Sequence, residues 1–212
     1  MFTGLITEIG QVAGRRSAGK TVRLTIAAGK TAPRLGPGDS VAVAGACLTV
    51  ESVSGDSFAC AVIPETLATT RLGRLHVGDS VNLELPLGPN DRFDGHLVAG
   101  HVDTIGQAKR VEKVGRGGRI SISFAREYDR WIVDKGSIAV DGISLTIAGR
   151  RPGEVVMGII PATWEETTIG RVKPGDLVNI EFDQTIKAVR QAAAAGDCPA
   201  ALSEERLRQA GW

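Results

Sequence analysis

The sequence predicts an all-β protein: two tandem, pseudo-symmetric small closed barrels followed by a C-terminal α-helix. Three observations predict it. Short segments rich in Val, Ile and Thr are punctuated by Gly, Asp and Pro along most of the chain. The first half recurs, block by block, in the second. Beyond residue 184 the strand alternation stops and Ala becomes abundant.

The duplication is explicit. VAVAGACLTV (41–50) matches IAVDGISLTI (138–147), IPETLATTRLG (63–73) matches IPATWEETTIG (160–170), and VGDSVNLEL (77–85) matches PGDLVNIEF (174–182), all at a shift of 97 residues. GLITEIGQV (4–12) matches GHVDTIGQA (100–108) at a shift of 96. A period this long exceeds any solenoid repeat and has the size of a small domain. The expected division is a first barrel over 1–95, a second over 96–185, and a helix and tail over 186–212 that either packs on the barrel or frays, or serves subunit association.

Within each unit SVAVAG, CLTVESV, VNLELPL, ISISFA, SIAVDG and LTIAG read as strands. GPGDS (36–40), VGDS (77–80) and PGDL (174–177) are turn chemistry. GRGG (115–118) is a turn between strands, not a phosphate loop, because no Lys-Ser/Thr and no helix start follow it. PETLATTRL and PATWEETTI read as helical turns opened by Pro, and AREYDRWI (125–132) as another. QTIKAVRQAAAA (184–195) reads as a helix ended near Gly196, with Ser203 as a cap for the segment after it.

Composition narrows the function classes. The 212 residues hold 25 Lys+Arg and 24 Asp+Glu, a balance that argues against a general nucleic-acid binder. No stretch approaches the ~20 apolar residues of a membrane span, and the N-terminus lacks a basic segment followed by a long apolar one. Cys47, Cys60 and Cys198 are too few and too irregular for a disulfide framework. A soluble cytoplasmic protein that contacts neither nucleic acid nor membrane is expected.

Comparing the two copies points to the chemistry. Thr49 and Thr146, Pro64 and Pro161, Thr66 and Thr163, and Gly45 and Gly142 agree. Cys47 stands against Ser144, Leu5 against His101, Phe2 against Val98, Gly38 against Lys135, and Pro86 against Asp183. Two pockets of one shape with different reactive groups would hold two similar ligands in different roles. Drift after duplication accounts for the same differences without any function. Cys47 alone reads better as an ordinary buried thiol, and Lys135 reads simply as a solvated turn lysine. A Cys47–His101 dyad would suit covalent catalysis but carries no local signature. His96 and His101 are an odd number of residues apart, which on a strand sets them on opposite faces, so no metal is expected.

The motifs together resemble the riboflavin synthase family (α chain) of lumazine-binding barrels. MFTGLITEIG, GACLTV, IPETL, GHLVAGHVD, KGSIAVDGISLTI, IPATWEETTIG and GDLVNIEFD stand in the family's order across residues 1–187. The resemblance implies that each half is a six-stranded Greek-key barrel and that the C-terminal helix assembles a homotrimer. Each barrel would bind one 6,7-dimethyl-8-ribityllumazine, so that two molecules meet between the N-barrel of one subunit and the C-barrel of its neighbour. A four-carbon unit would pass between them, giving riboflavin and 5-amino-6-(D-ribitylamino)uracil without a metal or other cofactor. Association with lumazine synthase is a further implied partnership.

Carried over position by position, the resemblance implies catalytic roles for Phe2, Ser40, Cys47, His101, Lys135 and Asp183. In the first half it implies ligand contacts at Gly4, Leu5 and Ile6, at Cys47, Leu48 and Thr49, and at Ala61, Val62, Ile63, Pro64, Glu65 and Thr66. In the second half the matching contacts are Gly100, His101 and Val102, then Lys135, then Ser144, Leu145 and Thr146. The set ends with Gly158, Ile159, Ile160, Pro161, Ala162 and Thr163. The chain departs from the family's usual residues at Ala162, Trp164, Asp94 and Ala99. The competing reading is a non-catalytic lumazine or flavin carrier of the same fold, in which one pocket has degenerated. The persistence of KGSIAVDGISLTI and Asp183 in the second half favours the enzyme.

Overall fold

The computed structural model describes residues 1–194 and Arg208. Strands β1 (Glu8–Ala18), β2 (Thr21–Ala27), β3 (Ser40–Val43), β4 (Ala46–Ser54), β5 (Ser57–Val62) and β6 (Ser80–Glu84) close a barrel in the order β1-β2-β5-β4-β3-β6. Strands β7 (Thr104–Val114), β8 (Gly117–Ser123), β9 (Ser137–Val140), β10 (Ile143–Arg151), β11 (Glu154–Ile159) and β12 (Leu177–Phe182) close a second with the same neighbours. Every pairing is antiparallel, and the step from β2 to β5 is the Greek-key crossing. Closure leaves no free sheet edge in either barrel. Helices α1 (Pro64–Thr69) and α2 (Pro161–Glu166) occupy matched places, each with Pro in its first turn.

The six strand-like motifs fall on β3, β4, β6, β8, β9 and β10. The long strands β1 and β7 are harder to read from sequence. A bulge lies between Val12 and Gly14 in β1 and between Ala108 and Arg110 in β7. An extra residue moves everything after it to the other face, so the period of two breaks inside a single strand. The polar ends GRRSA and KRVEKV then look like loop. AREYDRWI forms a 3-10 turn over Arg126–Trp131.

Each barrel has its own core. Leu24, Ile26, Val41, Phe58 and Leu83 fill the first, and Ile120, Ile138, Met157, Ile180 and Phe182 the second. Trp164 is accommodated by a paired change. A Cβ added to Gly118 would sit 2.1 Å from the Trp164 ring, whereas the matched positions of the first copy are Leu67 and Val22. One copy packs a large side chain over none; the other packs two of middle size. Gly118→Val is therefore expected to overpack this site at a cost of about 1–3 kcal/mol in urea unfolding.

The barrels meet across a local two-fold. Phe2 and Val98, matched positions of the two copies, pair through N–H donations of 2.8 and 3.1 Å. Their side chains cluster with Ala42 and Ala139. Asn82 Nδ2 donates to the Asp141 carbonyl (3.0 Å), and Asn179 Nδ2 donates to the Ala44 carbonyl (2.8 Å). Their amide oxygens accept from Thr168 N (2.8 Å) and Arg71 N (2.7 Å). Gly45 and Gly142 lie back to back at φ of 79° and 81°, and a Cβ on Gly45 would meet the Gly142 nitrogen at 2.5 Å. Only glycine permits this approach and this φ together.

Helix α3 (Gln184–Ala194) leaves the second barrel directly after β12. The Asp183 carboxylate accepts from Thr185 N (2.8 Å) in the first turn, and Lys187 Nζ pairs with Asp103 (2.9 Å). Val189 of this helix is exposed. Gly196, Cys198 and Ser203 lie outside the described residues. Among the described residues no helix is long and apolar enough to cross a membrane.

Candidate functional site

Two matched clusters form where the N-terminal arm and the inter-barrel link cross to the opposite barrel. In the first cluster Cys47, near the start of β4, donates its backbone N–H to the Gly100 carbonyl (2.9 Å). Cys47, Glu65, Thr66, Gly100, His101 and Val102 line a cavity of about 220 Å³. The cluster thus joins β4, α1 and the link. Cys47 is half-buried and His101 exposed. Cys60 lies in the barrel core, where burial pushes its thiol up to about 12, so it offers no nucleophile.

In the second cluster Ser144, on β10, donates its backbone N–H to the Gly4 carbonyl (2.8 Å). Its Oγ lies 2.7 Å from His96 Nδ1. His96 is 9% exposed, and burial holds its imidazole below the ordinary value while the nearby Asp183 carboxylate opposes that shift. Its Nε2 has no hydrogen-bond partner among the described residues. A neutral imidazole with Nδ1 unprotonated accepts the serine hydroxyl proton, an arrangement suited to general-base work. Among the described residues the first cluster contains no such pair: Cys47 stands where Ser144 stands.

His96 lies outside all four matched blocks, so comparison of the two copies does not reach it. Residues 91–103 run outside the strands, so strand alternation does not set the faces of His96 and His101. The buried neutral His96 has a measurable consequence. Its folded pKa lies below its unfolded one, so the unfolded chain takes up this proton first as pH falls. The stability contributed is full above the ordinary imidazole pKa and is lost as pH falls through it towards the folded value. His96→Gln should flatten this acid-side loss in urea unfolding between about pH 5 and 8.

The remaining expected site residues are spread more widely. Phe2 is fully buried at the two-fold, its ring against the Gly100 position; it sets the link rather than facing a cavity. Asp183 is the capping carboxylate of α3, and its charge opposes the shift that burial imposes on His96. Ser40 is half-buried and pairs in register with Thr49 across β3 and β4. Lys135 is exposed in the turn before β9 at φ 64°. Leu48, Val62, Leu145 and Ile159 are buried in the barrel cores, so only their backbones can meet a ligand. Gly158, Ile159, Ile160 and Pro161 line a separate open cavity of about 450 Å³ beside the β7–β8 turn. Leu5, Ile63 and Ile160 are exposed apolar side chains on the same segments.

The two-barrel fold has known relatives. The model of the lumazine binding domain matches residues 3–86 and again 99–183. The riboflavin synthase of Actinobacillus pleuropneumoniae is 38% identical over 215 residues, covering 100% of both chains. That of Bacillus subtilis (strain 168) is 40% identical over 183 residues, covering 86% of this chain and 85% of its own. That of Mycobacterium tuberculosis (strain ATCC 25618 / H37Rv) is 40% identical over 195 residues, covering 90% and 97%. Among solved structures, LumP complexed with riboflavin aligns with a TM-score of 0.81 at 21% identity, over 86% of this chain and 99% of that one. LumP complexed with 6,7-dimethyl-8-(1'-D-ribityl) lumazine aligns at 0.78. With both barrels matched by the same domain model and full-length relatives at this identity, the chain belongs to the riboflavin synthase family of lumazine-binding proteins.

Proposed function

We propose that this chain is a riboflavin synthase. It transfers a four-carbon unit from one 6,7-dimethyl-8-ribityllumazine to another and releases riboflavin and 5-amino-6-(D-ribitylamino)uracil. The observation that carries the reading is the similarity to riboflavin synthases over the full chain length, with both domains matched. The geometry supports it. A dismutation needs one compound held twice in different chemical surroundings. The two clusters supply that: Cys47 with His101 in one, Ser144 with His96 and Asp183 in the other.

The lumazine C7 methyl is acidic because its anion delocalises into the ring, so a modest base suffices to form the carbanion. His101 assists that proton transfer. Cys47, Ser40 or a water they hold supports addition at C7 of the other ring. Lys135 and Asp183 contribute charge, and backbone N–H and C=O groups along both clusters hold ring edges and ribityl hydroxyls. Holding the two rings face to face supplies much of the rest of the acceleration. The exposed Leu5, Ile63 and Ile160 suit contact with a neighbouring subunit in a homotrimer. The pairing of an N-barrel with a neighbour's C-barrel, residence in the cytoplasm and any docking to lumazine synthase rest on the family likeness.

Incubation of the purified chain with 6,7-dimethyl-8-ribityllumazine, followed by absorbance of riboflavin, tests the reading. Turnover is expected. One tightly held ligand per chain without turnover would favour the carrier, the reading that the LumP structures keep in view.

A further inference from the structure

Two buried carboxylates are used by nothing described so far. Glu84 ends β6 in the first barrel and Glu181 lies in β12 of the second; they are matched positions at the shift of 97. They are 5% and 2% exposed. Burying a carboxylate is costly unless donors replace its water. Here backbone donors do. Glu84 Oε1 accepts from Thr3 N (2.7 Å) and Thr3 Oγ1 (2.8 Å), and its Oε2 from Gly4 N (3.0 Å). Glu181 Oε1 accepts from Ala99 N (2.7 Å) and its Oε2 from Gly100 N (3.0 Å). Such charge-assisted pairs on adjacent N–H groups fix the orientation of the peptide as well as its place.

The gripped peptides belong to the segments that press on the reactive side chains. Gly4 sits at φ 78° with its Cβ position 2.6 Å from Ser144 Cβ, and its carbonyl accepts from Ser144 N. Gly100 sits at φ 81° with its Cβ position 2.6 Å from Cys47 Cβ, and its carbonyl accepts from Cys47 N. His101 follows Gly100 directly. The wiring is therefore crossed: a carboxylate of the first barrel holds the arm that seats Ser144 of the second. A carboxylate of the second barrel holds the link that seats Cys47 and His101 of the first.

We propose that Glu84 and Glu181 are positioning residues for the lumazine reaction, each setting the reactive cluster of the opposite barrel. The assignment rests on the riboflavin synthase reading and deepens it. Each isosteric change, Glu→Gln, turns one accepting oxygen into an NH2 group that faces a backbone N–H, so the gripped peptide must shift.

The test is the rate at which iodoacetamide alkylates Cys47 in the full chain, mapped by peptide mass spectrometry, beside turnover of 6,7-dimethyl-8-ribityllumazine. Glu181→Gln is expected to change Cys47 alkylation by about tenfold, while Glu84→Gln leaves it within about twofold. Both should lower kcat by about 100-fold, the scale of a small misplacement of reacting groups, with a lesser change in KM. Glu181→Asp keeps the charge but withdraws the oxygens by one methylene, and should move Cys47 alkylation in the same selective way if the Gln variant does not fold. Equal effects of the two Gln variants on Cys47, or no effect of either, would overturn the crossed assignment and leave two structural clamps. Wild-type protein that alkylates at Cys47 with this selectivity among variants but turns over no lumazine would instead overturn the reaction assigned above.

Discussion

Replacing Asn179 by Ala is expected to lower the free energy of unfolding by about 2–5 kcal/mol, the largest stability loss of any single polar substitution at the two-fold. The amide of Asn179 is 1% exposed and bridges the barrels in both directions, donating to the Ala44 carbonyl and accepting from Arg71 N. Alanine strands the buried Ala44 carbonyl and removes the partner of the half-buried Arg71 N–H, at about 1–3 kcal/mol each. Asn82→Ala should behave alike, because it bridges to Asp141 and Thr168 in the mirror arrangement. Urea unfolding of both single variants and the double variant checks this. A loss below about 1 kcal/mol would mean that the interface relaxes to re-pair those groups, and the bridges would then not be what holds the barrels in place.

The largest expected effect on activity is that of His101→Ala, a fall in kcat of about 10²–10⁴ with little change in unfolding free energy. His101 is exposed, lines the cavity with Cys47 and Glu65, and has no hydrogen-bond partner among the described residues, so removing it leaves no buried group stranded. A merely structural histidine would show the opposite pattern. Steady-state turnover of 6,7-dimethyl-8-ribityllumazine beside a urea curve separates the two. Turnover within about tenfold of the parent would remove His101 from proton transfer. Phe2→Ala provides the contrast. Its ring is fully buried between the barrels, so it should cost about 3–5 kcal/mol of stability along with activity.

The sequence carried its own evidence for the fold because duplication prints the domain twice. The paired motifs located β3, β4, β9 and β10, the Pro-opened turns located α1 and α2, and each doubled signal was stronger than either alone. It also marked Cys47, Ser144 and His101 as matched positions of unlike chemistry. Where a bulge reversed the faces within β1 and β7, period-two reasoning lost the strand. His96 lies outside the matched blocks, so comparing the copies did not reach it.

The amino-acid order by itself thus determined the duplication, the barrel class and most of the reactive residue types, since these depend on local periodicity and turn chemistry. Only the tertiary structure decided which groups meet: that His96 reaches Ser144, and that each buried glutamate grips the segment pressed on the opposite barrel. The hydrogen bonds of His96 and of the two glutamates span 48 to 82 positions along the chain. They arise from how two closed barrels cross their connecting segments, and residue spacing does not encode such a crossing.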